Sequence, residues 1–466
     1  MYVKYYTVKK ENPQSPPEQG HHDLSSNVVD GNVVDGKKEE MELMKKSRKR
    51  KLFLILIPIS IVLCILVVLA LVLLVGKKGL QTQSATEFKH EKTVWLLMPY
   101  VGEYWWNTIV EYMEIAVERD GWQFNYDSAD GSDETQSEQI ITYAQQADIL
   151  FVFPTSSTGV TDAIRRAEEE FHTPVVSFKG YITGKSRFSL IFDDKGAGET
   201  MAKEAVQWLQ DKYGTTEGKT VITVNGDLKQ SGWRLRQEGF DWIKANHPEI
   251  NYISVTGGLT PEGWAKVIDS ALAKAGDNVD AILSGSDGPY LLGTINALVK
   301  YGKLYYIEDP NHVFVASIDG KPSTLSWLRM GYVDTVYSQV PDAISFSAWD
   351  VAKKYILKDA SYQYSPYKIP AVPVPLQIAQ PKGSFWGGKD VVATIEAFDY
   401  SETPIGKTPF PVVDKDNVNT WDLYGNSIVK VLGEDIDPLP TFKAKGTQPA
   451  WSKNLIDEYG AWKKNQ

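Results

Sequence analysis

The residues best equipped for chemistry in this 466-residue chain stand just after short apolar runs. Lys179 follows Val175–Phe178, Asp193 follows Ser189–Phe192, and Arg234 lies in the segment after Val221–Val224. Ser286 and Asp287 follow Ala281–Leu283, Asp319 follows Val313–Ile318, and Gln339 follows Thr335–Tyr337. Carboxylates, guanidinium and amide groups make fixed and often paired hydrogen bonds, which is how a pattern of hydroxyls is read. After the first apolar run comes Tyr104-Trp105-Trp106, whose flat rings suit the C–H face of a sugar. Trp106 heads a helical stripe and is expected in the core, which leaves Trp105 as the stacking ring.

Catalysis has weaker support. None of the six histidines falls in a metal-ligand or nucleophile motif. Asp193, Asp287 and Asp319 could act as acid–base carboxylates, yet isolated acids at loop starts more often bind hydroxyls or cap helices. Gly196-Ala197-Gly198 is only part of a dinucleotide loop. A carbohydrate-active enzyme is therefore the minor alternative, with no catalytic residue, cofactor or metal expected.

The elements that must position these groups alternate regularly from Thr93 onward. The strands expected are Val94–Met98, Gln123–Tyr126, Ile149–Phe153, Val175–Phe178 and Ser189–Phe192, then Val221–Val224, Tyr252–Val255, Ala281–Leu283, Val313–Ile318 and Thr335–Tyr337. Stripes at helical spacing separate them, such as Val160, Ala163, Ile164, Ala167 and Phe171. Such alternation predicts α/β architecture with parallel sheets covered on both faces. A break near Asp193-Asp194 divides the strands into two doubly wound lobes. Ligands of such sheets bind beyond the carboxyl ends of the strands, where the candidate residues stand.

This order of motifs resembles bacterial sugar-binding proteins of the ribose and galactose type, whose two-lobed, hinged fold is shared with lactose-repressor-type regulators. The resemblance covers roughly Lys92 to Tyr424. It is carried by the aromatic loop, by Asp193-Asp194-Lys195-Gly196, by Arg234 ahead of Gly239-Phe240, and by Ser286-Asp287, Ile318-Asp319-Gly320 and Gln339-Val340-Pro341. It implies one lobe of residues 92–193 plus 340–411 and a second of 194–339 plus 412–430, followed by an extension over 431–466. It also implies a small polar ligand, a sugar or sugar derivative, bound without a cofactor by Tyr104, Trp105, Lys179, Asp193, Arg234, Ser286, Asp287, Asp319 and Gln339.

The chain departs from the family in three places. Lys179-Gly180 stands where the family often has an Asp-Arg clamp, so an acceptor has become a cation. Either that cation meets an acidic sugar or it pairs with Asp193 or Asp319. Ser286 replaces the usual Asn. Residues 360–411 exceed the expected length, so the third crossover lies either at Val413–Val418 or near Ile369–Gln377.

Residues 52–75 are the other landmark, LFLILIPISIVLCILVVLALVLLV, with no charge. As a helix they would reach roughly 36 Å, enough to span a bilayer core of about 30 Å. Residues 1–51 carry eleven Lys and Arg against eight Asp and Glu, net +3, and form the expected disordered cytoplasmic tail. The basic cluster Lys45–Lys51 orients the span with its N-terminus inside and sends residues 76–91, a linker, and everything after them outside. Cys64 is the single cysteine, and the large residues before it do not make a lipid-attachment site. The remainder, 38 basic against 51 acidic residues, is net −13, which argues against a nucleic-acid partner. No Asn-x-Ser/Thr sequon and no disulfide suit a bacterial surface. The expected protein is a single-pass, membrane-anchored extracellular receptor. Its partner is an ABC-type importer permease or, alternatively, a membrane sensor such as a kinase or chemoreceptor.

Overall fold

The structure, a computed structural model, describes residues 92–101, 104–358, 372–374, 391–396, 405–408, 410–420, 423, 425–426 and 442–464. The expected span 52–75, its tail and its linker lie outside the described residues. Among those described, no helix is long and apolar enough to cross a membrane.

Lobe one opens with β1 (Thr93–Met98), α1 (Tyr104–Glu118), β2 (Gln123–Ser128), α2 (Asp133–Ala144), β3 (Ile149–Val152), α3 (Thr161–Glu170), β4 (Val175–Lys179) and β5 (Phe188–Phe192). Strands β3, β4 and β5 are buried at every position, because helices cover both faces of their sheet. Edge strand β2 has no fully buried residue, as is possible for a strand with one free side. The apolar stripe of α1, including Ile109, Met113 and Ala116, packs on one face of the sheet. Ile140, Ile164 and Ala167 of α2 and α3 pack on the other.

Lobe two begins with α4 (Asp194–Tyr213) and runs through β6 (Thr220–Asn225), α5 (Ser231–Phe240), α6 (Trp242–Asn246), β7 (Asn251–Thr256), α7 (Pro261–Ala275), β8 (Ala281–Ser284), α8 (Pro289–Lys300), β9 (Phe314–Asp319), α9 (Pro322–Arg329) and β10 (Thr335–Ser338). The chain then returns to lobe one as α10 (Pro341–Val351), which packs beside α1, and as β11 (Val372–Val374), β12 (Val391–Glu396) and β13 (Ile405–Thr408). It crosses again into β14 (Val412–Val413). The last described helix, α11 (Ala450–Lys464), sits against lobe two: Asn419 donates to Leu455 O at 3.0 Å, and the Arg329 guanidinium lies 3.6 Å from the Tyr459 ring centre.

Strand order is β11-β12-β13-β5-β4-β3-β1-β2 in the first sheet and β14-β10-β9-β8-β6-β7 in the second. Pairing from β13 to β2 and from β10 to β7 is parallel, whereas β11, β12 and β14 join antiparallel at the edges. The three edge strands β11–β13 were not expected from sequence; they widen lobe one to eight strands. The third crossover runs between Thr408 and Val412. Of the alternative near Ile369–Gln377, only β11 is described, and it pairs within the first sheet.

The three crossovers lie side by side. Asp193 N donates to Thr408 O at 2.8 Å, and Ser338 N donates to Pro411 O at 2.9 Å. Thr408 Oγ1 donates to Ile191 O at 3.1 Å. This bundle of short segments is the hinge, and the carboxyl ends of β4, β8, β9 and β10 open beside it.

Candidate functional site

A cavity with about 510 Å³ of empty space, its open mouth included, lies between the lobes beside the hinge. Lobe one supplies Trp105, Trp106, Phe153 and Lys179. Lobe two supplies Gln230, Gly232, Trp233 and Arg236 from the start of α5, Ser286 and Tyr290 after β8, and Asp319 and Lys321 after β9. Gln339 joins them from the second crossover.

Asp319 is the hub. Its Oδ1 accepts from Arg236 Nη1 at 3.0 Å and from the Gln339 amide. Its Oδ2 accepts from Ser286 Oγ and lies 3.9 Å from Lys321 Nζ. Burial alone would raise this carboxyl, but Arg236, Lys321, Ser286 and Lys179 outweigh it and hold Asp319 below the usual carboxylate range. Arg236 turns its other edge to Asp194, donating from Nε to Oδ1 at 2.7 Å, and also donates to Gly285 O. Lys179 Nζ stands 3.7 Å from Asp194 Oδ2. The result is a buried ladder of alternating charge, Lys179–Asp194–Arg236–Asp319–Lys321. Burial pulls Lys179 down to about 8, against the raising effect of Asp194.

Two of the four described non-glycine residues with positive φ are on this wall, Lys179 at 63° and Asp319 at 129°. Backbone of that kind costs on the order of 1–3 kcal/mol and persists where the surroundings over-determine it. Both residues end their strands, one position later than the runs Val175–Phe178 and Val313–Ile318 suggested. Among the described residues, Trp105 Nε1 and Gln339 Oε1 on the cavity lining lack a hydrogen-bond partner. Buried polar atoms are rarely left so, and a ligand's hydroxyls can supply what is missing.

The candidate residues divide. Lys179, Ser286, Asp319, Gln339 and Trp105 reach the cavity. Trp105 is 5 % exposed and belongs to the lobe-one core, while Trp106 is the half-buried ring, packing 5.2 Å from Phe153. The expected roles of the two rings are thus exchanged in burial. Asp287 lies behind the wall, its Oδ2 accepting from Gly320 N at 2.7 Å and Lys321 N at 3.1 Å. Asp193 caps α4, accepting from Gly196 N at 3.3 Å; the acid facing the cluster is its neighbour Asp194. Lys179 accordingly pairs with Asp194 instead of Asp193 or Asp319. The side chain of Tyr104 lies outside the described residues.

Arg234 does not line the cavity. Its Nη2 crosses from lobe two to donate to Ser157 Oγ at 3.0 Å and to the Tyr181 hydroxyl, both on lobe one. Gln230 Nε2 makes a second bridge to Thr155 O at 3.2 Å. The inward arginine, missed from sequence, is Arg236. It lies three residues before Gly239 and so shares the helix face that meets α4.

A profile of the periplasmic binding protein domain family matches residues 94–360. The chain belongs to that family. Among its relatives, the ribose import binding protein of Salmonella typhimurium is 28% identical over 215 residues, 46% of this chain and 67% of that one. The D-xylose-binding periplasmic protein of Escherichia coli is 24% identical over 184 residues, 38% of this chain and 52% of that one. The periplasmic component of the arabinose ABC transporter from Shewanella, solved with L-arabinofuranose, superposes with a TM-score of 0.55 at 18% identity, covering 74% of this chain and all of its own. A myo-inositol binding protein from Caulobacter gives 0.51 at 20% identity, over 59% of this chain and 90% of its own. These likenesses establish the two-lobed fold.

Proposed function

We propose that this protein is a membrane-tethered extracellular receptor that captures a sugar or sugar derivative between its lobes and presents it to an ABC-type importer. The observation that carries the reading is the cleft itself: ring faces of Trp106, Phe153 and Trp233 surround a ladder of charged hydrogen-bonding groups, and Trp105 Nε1 and Gln339 Oε1 beside it find no hydrogen-bond partner among the described residues. Rings take the apolar face of a sugar, and paired carboxylate and guanidinium groups take its hydroxyls. The import and sugar-binding names of the relatives support the same reading. The tether is residues 52–75, with the binding lobes outside. No step in this function makes or breaks a covalent bond, and the site residues hold and orient.

The test is a screen of the full chain in detergent against pentoses, hexoses, furanoses, cyclitols and their acids, read by thermal shift and tryptophan fluorescence. A ligand at 100 times its dissociation constant should add about 2.7 kcal/mol of stability. Turnover of a sugar without a stability gain would sink the receptor reading.

A further inference from the structure

The loop that follows β3 serves the cavity and the rim at once. Phe153 places its ring on the cavity wall beside Trp106. Thr155 O accepts the bridge from Gln230 of lobe two, and Ser157 Oγ accepts the one from Arg234. Gln230 itself lines the cavity. A ligand surface and the landing points for lobe closure thus share one short stretch of chain.

That stretch is held by a side chain from outside it. Phe153 N still donates to Leu97 O of β1 at 2.9 Å, but Pro154 has no N–H with which to continue a ladder. Gln136 of α2 takes over. Its Nε2 donates to Phe153 O at 2.9 Å, and its Oε1 accepts from Thr155 N at 2.7 Å and from Thr155 Oγ1 at 3.2 Å. A carboxamide carries both donor and acceptor, so it serves the C=O and the N–H on either side of the proline as a neighbouring strand would. Gln136 is 0 % exposed, so bulk water does not stand in for these bonds. Asp133, one turn earlier on α2, is a second anchor: it accepts from the Thr155 hydroxyl and from Ser156 Oγ at 2.8 Å.

We propose that Gln136 is the positioning residue that couples ligand contact to lobe closure, by holding Phe153 at the ligand and Thr155 O at Gln230 as one piece. The inference rests on the receptor reading and deepens it, because it names how occupancy of the cleft is felt at the rim. Gln136 is not part of the cavity lining, so it acts through the loop. Its loss leaves a buried C=O and a buried N–H without partners, which costs the loop its fixed place. With the clamp intact, a ligand resting on Phe153 also steadies the bridge at Thr155, and the bridge strengthens the ligand in return.

The experiment reads ligand release by stopped-flow tryptophan fluorescence on the full chain in detergent. The probe is the tightest binder among D-ribose, D-xylose, L-arabinose, D-galactose, D-glucuronate and myo-inositol. Gln136→Leu should release it about tenfold faster than wild type, and Gln230→Ala about fivefold faster. In the Gln136→Leu background, Gln230→Ala should add less than about twofold, because both changes remove the same bridge. Gln139→Ala, which loses a bond of the same kind from α2 to Ser128 O, is the control and should stay within about twofold of wild type. Gln136→Glu keeps the size and the acceptor but loses the donor to Phe153 O. It should also speed release and show the same non-additivity, so the proposal stays testable if the leucine variant does not fold. Unchanged release in the Gln136 variants, factors that multiply in the double variant, or equal speeding in Gln139→Ala would each overturn the coupling and leave the receptor standing. If none of the six probes is bound, the receptor reading falls and takes this inference with it.

Discussion

Lys179 concentrates the conflict within the site, since it is a cation removed from water and only partly paired. Burial draws it from 10.5 to about 8 in the folded protein. Below about 8 folded and unfolded chains both hold the proton, and the burial penalty is fully present. Between about 8 and 10.5 the unfolded chain binds the extra proton, so this residue's contribution to stability rises with pH through that window. Urea titrations from pH 7 to 10 should show wild type gaining on Lys179→Met as pH rises; a flat difference would place the buried proton elsewhere. Which residue types the cleft would use was legible in the sequence, whereas their helical phase was not. Arg234 and Arg236 are two apart, so about 200° of rotation separates them on α5, and only Arg236 faces Asp194. Asp193 and Asp194 differ by one position at a helix start, where one side chain caps and the next turns inward. Trp105 and Trp106 posed the same problem, because which ring lies on the core side depends on where α1 meets its sheet.

At the scale of elements, the ladder depends on how closely α4 and α5 approach. A Cβ on Gly239 would lie 2.4 Å from Lys195 O and 2.5 Å from Glu199 N, and one on Gly198 would lie 2.4 Å from Arg236 O. These are backbone atoms, which cannot swing aside. Gly239→Ala should therefore cost about 3 kcal/mol, at the upper end of the usual overpacking penalty, and should weaken ligand binding at the same time by drawing Arg236 away from Asp194. Urea midpoints and calorimetry on the same preparation would check it; a stability loss with intact affinity would mean that the helix pair does not set the arginine. The ten alternating strands were legible because buried parallel strands read as continuous apolar runs. Strands β11–β13 were not, since they lie in a stretch rich in proline, glycine and aromatic residues with no helical stripes between them to mark an alternation.

For the whole molecule, the lobes meet through a few polar bridges at the rim, and capture must work with these. Arg234 and Gln230 reach across to Ser157, Tyr181 and Thr155, so they favour the closed arrangement without touching the cavity's hub. Arg234→Ala should leave the fold intact and weaken the ligand about tenfold, mostly through faster release. Stopped-flow tryptophan fluorescence would separate the rates, and a loss confined to the association rate would contradict a latch. The division into two lobes was legible from the break at Asp193-Asp194, whereas the rim bridges depend on geometry between segments far apart in the chain. The first described strand belongs to lobe one and the last described helix, α11, is fastened to lobe two. Dyes placed on β1 and on α11 would thus ride on opposite jaws, and each capture would change the energy transfer between them. Such a dye pair would report capture as a ratio of two colours.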